Sequence, residues 1–186
     1  MPGTSILASP GDLDTSFNDI GWTTILSSPS SSALDITLQP DGKIVAVGYY
    51  FDTSLGTDVM LVARYHTDGT LDPSFSEDGM VTTPYNLSLE GSAVDIQADG
   101  KIVVVGTNLN YMEDDITVVR YTSSGILDPT FGMNGIVTTN INPVDAAEAV
   151  DIQSDNKIVV AGIFNLLRYT PTGTLDNTFG GGDGIV

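Results

Sequence analysis

All six basic residues of this chain stand at two repeating positions. Lys43, Lys101 and Lys157 each follow an Asp-Gly or Asp-Asn pair, and Arg64, Arg120 and Arg168 each precede a Tyr. Surface charge that drifts freely does not land this way, so the chain is an internal repeat. Self-similarity at a fixed period restricts the fold to solenoids, propellers and arrays.

Three anchors carry the repeat. The first is Leu-Asp-x-Ser/Thr-Phe at Leu13–Phe17, Leu71–Phe75, Leu127–Phe131 and Leu175–Phe179. The second is Gln-x-Asp-Gly/Asn-Lys-Ile-Val at Gln39–Val45, Gln97–Val103 and Gln153–Val159. The third is Arg-Tyr. The spacing from Leu to Gln is 26 in each copy, from Arg to the next Leu 7, and from Gln to the Gly that closes the apolar run 9. All length variation falls between that Gly (Gly48, Gly106, Gly162) and Arg, at spacings of 16, 14 and 6. A frame that tolerates insertion at one point has a surface loop there. The frame divides the chain into an N-terminal extension over 1–10, repeats over 11–68, 69–124 and 125–172, and a partial fourth over 173–186.

Each repeat offers four short β-branched runs between turn signals. In the second they are Gly79–Thr83, Ser92–Gln97, Lys101–Thr107 and Ile116–Thr122. Val, Ile, Thr and Tyr dominate them, as strands require. Asp41-Gly42 and Asp99-Gly100 between apolar runs are hairpin signals, because Gly takes positive φ without a Cβ penalty. Asn156 holds that place in the third repeat and is the next best residue for it. The third run is apolar on successive residues, Ile102-Val103-Val104-Val105 for example, which predicts burial on both faces. No run of ten residues or more reads as a helix. The chain is therefore expected to be all-β. Four antiparallel strands per unit of this length predict propeller blades, about three plus the start of a fourth. A β-solenoid or an unclosed stack of small sheets is the runner-up, solenoid coils being shorter at about 20 to 30 residues.

The succession Gly-x-Leu-Asp-x-Ser/Thr-Phe-Gly, Gly-x-Val, Gln-x-Asp-Gly-Lys-Ile-Val-x-x-Gly and Arg-Tyr resembles the bacterial delta-60 repeat family of β-propeller repeats, from about Gly11 to Val186. Asn18 and Ser76 depart from the pattern where Gly132 and Gly180 keep the family Gly. The resemblance implies a large secreted or surface-anchored bacterial protein, with no established activity and no defined catalytic residues.

The net charge is −18, which argues against nucleic acid and anionic membrane as partners, since phosphate binding needs clustered Lys and Arg. There is no Cys, so neither a disulfide framework nor a Cys-based metal site is expected. Residues 1–10 lack the features of a signal peptide, and no apolar run reaches the length of a membrane span. Propellers typically close with four to eight blades. Three units and a piece predict either self-association or a longer parent chain, because an uncovered blade face and sheet edge invite aggregation.

Recurrence favours a structural reading of Asp14, Asp72, Asp128 and Asp176: each is expected to cap its own Asp-x-Ser/Thr turn and to pair with a recurring Arg. Arg64, Arg120 and Arg168 are expected to tie one blade to the next, each by a charge-assisted hydrogen bond with an Asp of the frame. The three Lys are expected to be solvated, with their stems along the strand. His66 falls where the other repeats have Thr122 and Thr170, an exposed strand end. Non-repeated residues are the better candidates for function. Tyr49, Tyr50, Phe51 and Asp52 in the first variable interval, and Tyr111 in the second, suit a protein or carbohydrate ligand at a cell surface. Glu113, Asp114 and Asp115 form an oxygen-rich loop of the kind that holds Ca²⁺, a possible cofactor, though not at EF-hand spacing. A single His and no Cys leave no familiar nucleophile–base pair. The expected function is a non-catalytic extracellular module for adhesion or for protein or carbohydrate binding. The alternatives are a Ca²⁺-dependent propeller hydrolase and a structural spacer or filament subunit.

Overall fold

A computed structural model describes residues 11–24, 30–83, 88–109 and 113–186. The described residues form eleven strands and no helix. They are β1 (Ser31–Leu38), β2 (Ile44–Asp52), β3 (Thr57–Tyr65), β4 (Met80–Thr83), β5 (Ser88–Ile96), β6 (Ile102–Leu109), β7 (Asp115–Tyr121), β8 (Ile136–Thr139), β9 (Ala147–Ile152), β10 (Ile158–Gly162) and β11 (Leu166–Tyr169). Neighbours in sequence pair antiparallel, giving sheets β1-β2-β3-β4, β5-β6-β7-β8 and β9-β10-β11. The fold is all-β, with sheets of three to four strands arranged as propeller blades.

The hairpins follow from the second anchor. Asp41, Asp99 and Asp155 accept the backbone N–H two residues on, and Gly42 and Asn156 take φ of 85° and 63°. The same turn therefore forms on Asn, as its tolerance of left-handed backbone predicts. Ser76 and Asn18, at the positions of Gly132 and Gly180, also sit at positive φ, 50° and 49°.

The blades are out of phase with the repeat read from the sequence. The sequence frame groups β4 with the repeat over 69–124, yet β4 pairs with β3 and closes the preceding sheet. The cause lies in the first anchor, which folds the chain back on the Arg. Arg64 donates its backbone N–H to Gly79 and accepts one from Asp72, and Phe75 N bonds Asp72 O. The same bonds recur at Arg120 with Gly135 and Asp128, and at Arg168 with Gly184 and Asp176. Both flanks of the Arg are thus hydrogen-bonded, which fixes the constant spacing from Arg to Leu. The variable interval also differs from the expected loop. In the first blade it is mostly strand, β2 and β3 running on as one hairpin around a turn over 53–56.

Two cores explain the unbroken apolarity of the third run. Ile102 and Val104 of β6 pack with Val45, Val47, Met60 and Val62 of the first blade. Val103 and Val105, on the opposite face, pack with Ile158, Val160, Leu167 and Tyr169 of the third. Alternation along a strand sends successive residues to opposite faces, so a middle blade must be apolar at each position. Fully burying one such Val contributes roughly 1.5–3 kcal/mol. β10 is buried at Ile158 and Val160 but only half-buried at Val159 and Ala161, because no blade covers that side.

Candidate functional site

The recurring charges assemble into a closed frame. Asp72 Oδ1 accepts the N–H (3.0 Å) and hydroxyl (2.7 Å) of Ser74, while Oδ2 accepts Arg64 Nε at 2.8 Å. Arg64 Nη2 reaches Ser74 Oγ at 3.0 Å, and its guanidinium lies 4.8 Å from the Phe75 ring centre. Arg120 and Arg168 repeat this with Asp128, Thr130 and Phe131 and with Asp176, Thr178 and Phe179. The lysines are not free in solvent as expected. Lys43, Lys101 and Lys157 Nζ lie 3.1, 3.7 and 3.1 Å from the same Asp Oδ2 atoms. The tight turn delivers the Lys stem to the same carboxylate, so a second cation stands beside the Arg. Burial pushes the Asp72 carboxyl up, but the Ser74 bonds, Lys43 and Arg64 outweigh it and hold it well below the ordinary range. Asp128 is held down against burial in the same way by Thr130, Arg120 and Lys101. The Thr178 bonds, then Lys157 and Arg168, hold Asp176 well below that range. His66 Nε2 lies 3.7 Å from Asp72 Oδ1, at the rim of the frame. Asp14 is the exception: it caps Ser16 and is exposed, with no Arg beside it among the described residues.

The Arg–Asp bonds stay within one blade, and the bond from Arg to the next blade goes to a backbone carbonyl instead. Arg64 Nη1 donates to Ser123 O and Arg120 Nη1 to Pro171 O, both at 2.6 Å, in the turn of the following blade. Sequence reasoning missed two further ties. Asp35 Oδ2 accepts Val94 N and Asp95 Oδ2 accepts Ile152 N, each at 2.9 Å, between first strands of successive blades. Tyr121 Oη meets Thr83 Oγ1, and Tyr169 Oη meets Thr139 Oγ1 at 2.7 Å. The Thr-Thr pairs 82–83 and 138–139 recur at one position of the frame, whereas Asp35 stands four residues before its hairpin Gln and Asp95 two before its own, so periodicity does not show the Asp ties.

The non-repeated candidates sit at one end of the blades. In the first hairpin Tyr50 Oη donates to Asp52 Oδ2 at 3.2 Å, and Asp52 Oδ1 caps Ser54 and Leu55. Burial, then the Asp52 charge, pushes the Tyr50 hydroxyl up. Tyr49 and Tyr50 are half-buried and Phe51 is exposed. Tyr111 lies outside the described residues. In the second hairpin Asn140 Nδ2 donates to Glu113 Oε2 at 2.9 Å and to Asp115 Oδ1 at 2.8 Å. Asp114 instead bonds through its backbone to Pro143 and Asp145. The three acids are therefore split between a side-chain amide and a β-bridge. Among the described residues no three acidic or His groups gather as a metal cluster.

Beside that hairpin lies a cleft of about 480 Å³ lined by Glu90, Ser92, Thr107, Asp114 and Glu148 with apolar Leu34, Leu109 and Ile163. It opens because the β10–β11 hairpin is short while β6–β7 is long. Burial, then Asp58 and Asp114, raises the Glu90 carboxyl above its ordinary value. Hydroxyls and carboxylates beside apolar side chains can accept hydrogen bonds from a polyol and pack against its carbon face.

The frame also marks the family. Residues 39–75, 97–131 and 153–179, more than half of the chain, match one family model, each segment running from the Gln of a hairpin to the Phe beneath an Arg. The chain belongs to the family described as domain of unknown function (DUF5122) beta-propeller. Among solved structures, a protein described as a candidate gluconolactonase is similar at 13% identity and TM-score 0.39, over 76% of this chain and 45% of that one. A catalytically inactive virginiamycin B lyase from Staphylococcus aureus, solved with quinupristin, is similar at 15% identity and TM-score 0.39, over 81% and 56%. This DUF5122 chain thus spans about half the length of those two proteins. No curated protein sequence matches it.

Proposed function

We propose that this DUF5122 beta-propeller segment is a non-catalytic extracellular repeat module that binds a carbohydrate or protein ligand at its hairpin end. One observation carries the reading: the interval that varies between repeats builds the hairpin tips, and the acid- and hydroxyl-lined cleft lies at that same end. The repeated charges, by contrast, are spent on the frame. The resemblance to delta-60 repeats and the net charge of −18 support a secreted or surface-attached bacterial protein. The test is a glycan array together with pull-down on surface proteins, using the chain and its Glu148→Gln and Thr107→Val variants. Retention that the variants weaken supports the reading; measurable turnover of a bound glycan rejects it.

The second reading is a Ca²⁺-dependent hydrolase, for which Glu90, Asp114 and Glu148 line one cleft without gathering into a metal cluster among the described residues. Titration calorimetry decides for it only if Ca²⁺ binds with an affinity that Glu90→Gln reduces.

A further inference from the structure

The ties between blades run in one direction, so each end of the stack presents a different half of them. From blade to following blade the chain offers an Arg Nη1, a first-strand Asp carboxylate, and a Phe with the N–H after it. The Phe loops dock identically: Asn18, Ser76 and Gly132 N–H bond the carbonyls of Asp68, Ser124 and Thr172. Phe17, Phe75 and Phe131 lie against Gly69, Gly125 and Gly173 so closely that a Cβ there would strike the ring.

The third blade offers the same donor half with no receiver among the described residues. Asp151 is equivalent to Asp95, is exposed, and its carboxylate makes no hydrogen bond among the described residues. Arg168 donates from Nε and Nη2, while Nη1 lacks the carbonyl that Ser123 and Pro171 supply elsewhere. Phe179 is only half-buried, whereas Phe75 and Phe131 are fully buried.

The first blade offers the receiving half. Thr67 is the equivalent of Ser123 and Pro171, and its carbonyl takes no such bond. Tyr65 is buried and its hydroxyl has no partner among the described residues, where Tyr121 and Tyr169 each meet a Thr. Ile36 and Leu38 are 64% and 66% exposed, although Val94 and Ile96 at the equivalent positions lie in the core between the first two blades. Leu38 also stands where Ile152 donates its N–H to Asp95, directly before the hairpin Gln.

We propose that the third blade of one molecule docks onto the first blade of a second copy, head to tail, in the geometry of the internal blade junctions. Asp151 accepts the Leu38 N–H, Arg168 Nη1 donates to Thr67 O, and Ile36 and Leu38 cover Val159 and Ala161. The interface is heterologous, so repetition closes a ring or extends a filament. Part of the receiving socket is already filled from within. Residues 13–21 place Phe17 on Gly69 and Asn18 on Asp68 O, the seats that Phe179 and Gly180 of a neighbour need. This segment is a strap that competes with association.

Analytical ultracentrifugation of the full chain over a wide concentration range tests the docking. The weight-average mass rises with concentration. Asp151→Ala, a surface change with no internal partner to lose, weakens association by about tenfold, the worth of one charge-assisted hydrogen bond. Phe17→Ala, which loosens the strap, strengthens it. The chain has no Cys, so a short thiol crosslinker reads the contact directly in Asp151→Cys with Leu38→Cys. Asp95→Cys with Ile152→Cys, across the internal junction, serves as the positive control. A monomer at every concentration leaves the face to a different occupant and overturns the proposal. So does association that Asp151→Ala leaves unchanged, or a control pair that crosslinks within the chain while the Asp151–Leu38 pair gives no dimer. None of these readouts depends on a ligand at the hairpin end.

Discussion

The Asp of the Leu-Asp turn shows how one residue type takes different energetic weight in different copies. Asp128 is buried and holds Arg120, Lys101 and the Thr130 turn, while Asp14 makes the same turn with Ser16 in solvent. Removing one partner of a buried pair leaves the other charge uncompensated, at about 3–5 kcal/mol. Asp128→Ala should therefore shift the chemical denaturation midpoint severely, and Asp14→Ala should change stability by no more than about 0.5 kcal/mol, as surface substitutions do. Equal effects would mean that the ion pairs do not hold the frame. The lowered carboxyls of Asp72, Asp128 and Asp176 also set the acid response. A carboxyl depressed in the fold contributes stability that is present above its unfolded value, about 4, and is lost as pH falls toward the folded value. Circular dichroism at fixed urea should show stability declining progressively below about pH 4.

At the scale of the element, the closing Gly of the apolar run is set by its neighbour strand. A Cβ on Gly106 would meet the Glu90 carbonyl oxygen and one on Gly48 the Ser32 carbonyl oxygen, both backbone atoms that cannot rotate away. Gly106→Ala should cost about 1–3 kcal/mol through the strand shift it forces, read as a lower thermal midpoint. The Tyr at the end of the Arg strand has its own signature. Burial pushes Tyr65 and Tyr169 up to about 12, the latter against its bond with Thr139. A group raised in the fold is stabilising below its unfolded value, about 10, and loses that contribution as pH rises toward the folded one. Stability should hold to about pH 10 and fall above it. Thr139→Val, which leaves the Tyr169 hydroxyl buried alone, should cost about 1–3 kcal/mol at neutral pH.

At the scale of the whole molecule, equivalent residues differ only in what stands beside them. The Asp95 carboxylate accepts the Ile152 N–H of the next blade, and the Asp151 carboxylate accepts nothing from the described residues. Asp95→Ala should lower the urea midpoint, by about 1–2 kcal/mol. Asp151→Ala should leave the dilute chain unchanged and act only on association. Stability in stacked repeats is close to a sum of unit and junction terms, so this pair of variants isolates one junction. If both lower the midpoint alike, the Asp acts within its own blade and not across the junction.

The sequence alone determined the repeat, the all-β class, the hairpin turns and the pairing of Leu-Asp with Arg-Tyr. Those features rest on local chemistry: Asp-Gly and Asp-Asn favour one turn, and apolar runs without polar breaks demand two covered faces. It misplaced β4, because the hydrogen bonds of Gly79 and Asp72 to Arg64 link residues that periodicity assigns to different units. It left the lysines in water, because no local pattern shows that a turn delivers Lys43 Nζ to a buried Asp almost thirty residues on. It read Glu113–Asp115 as one oxygen-rich loop, while tertiary structure turned two of them to Asn140 and put Asp114 on the cleft with Glu90 and Glu148. The direction of the blade ties, and so the two unlike ends, was decided by packing alone, since identical motifs become donor or receiver only when another blade lies against them.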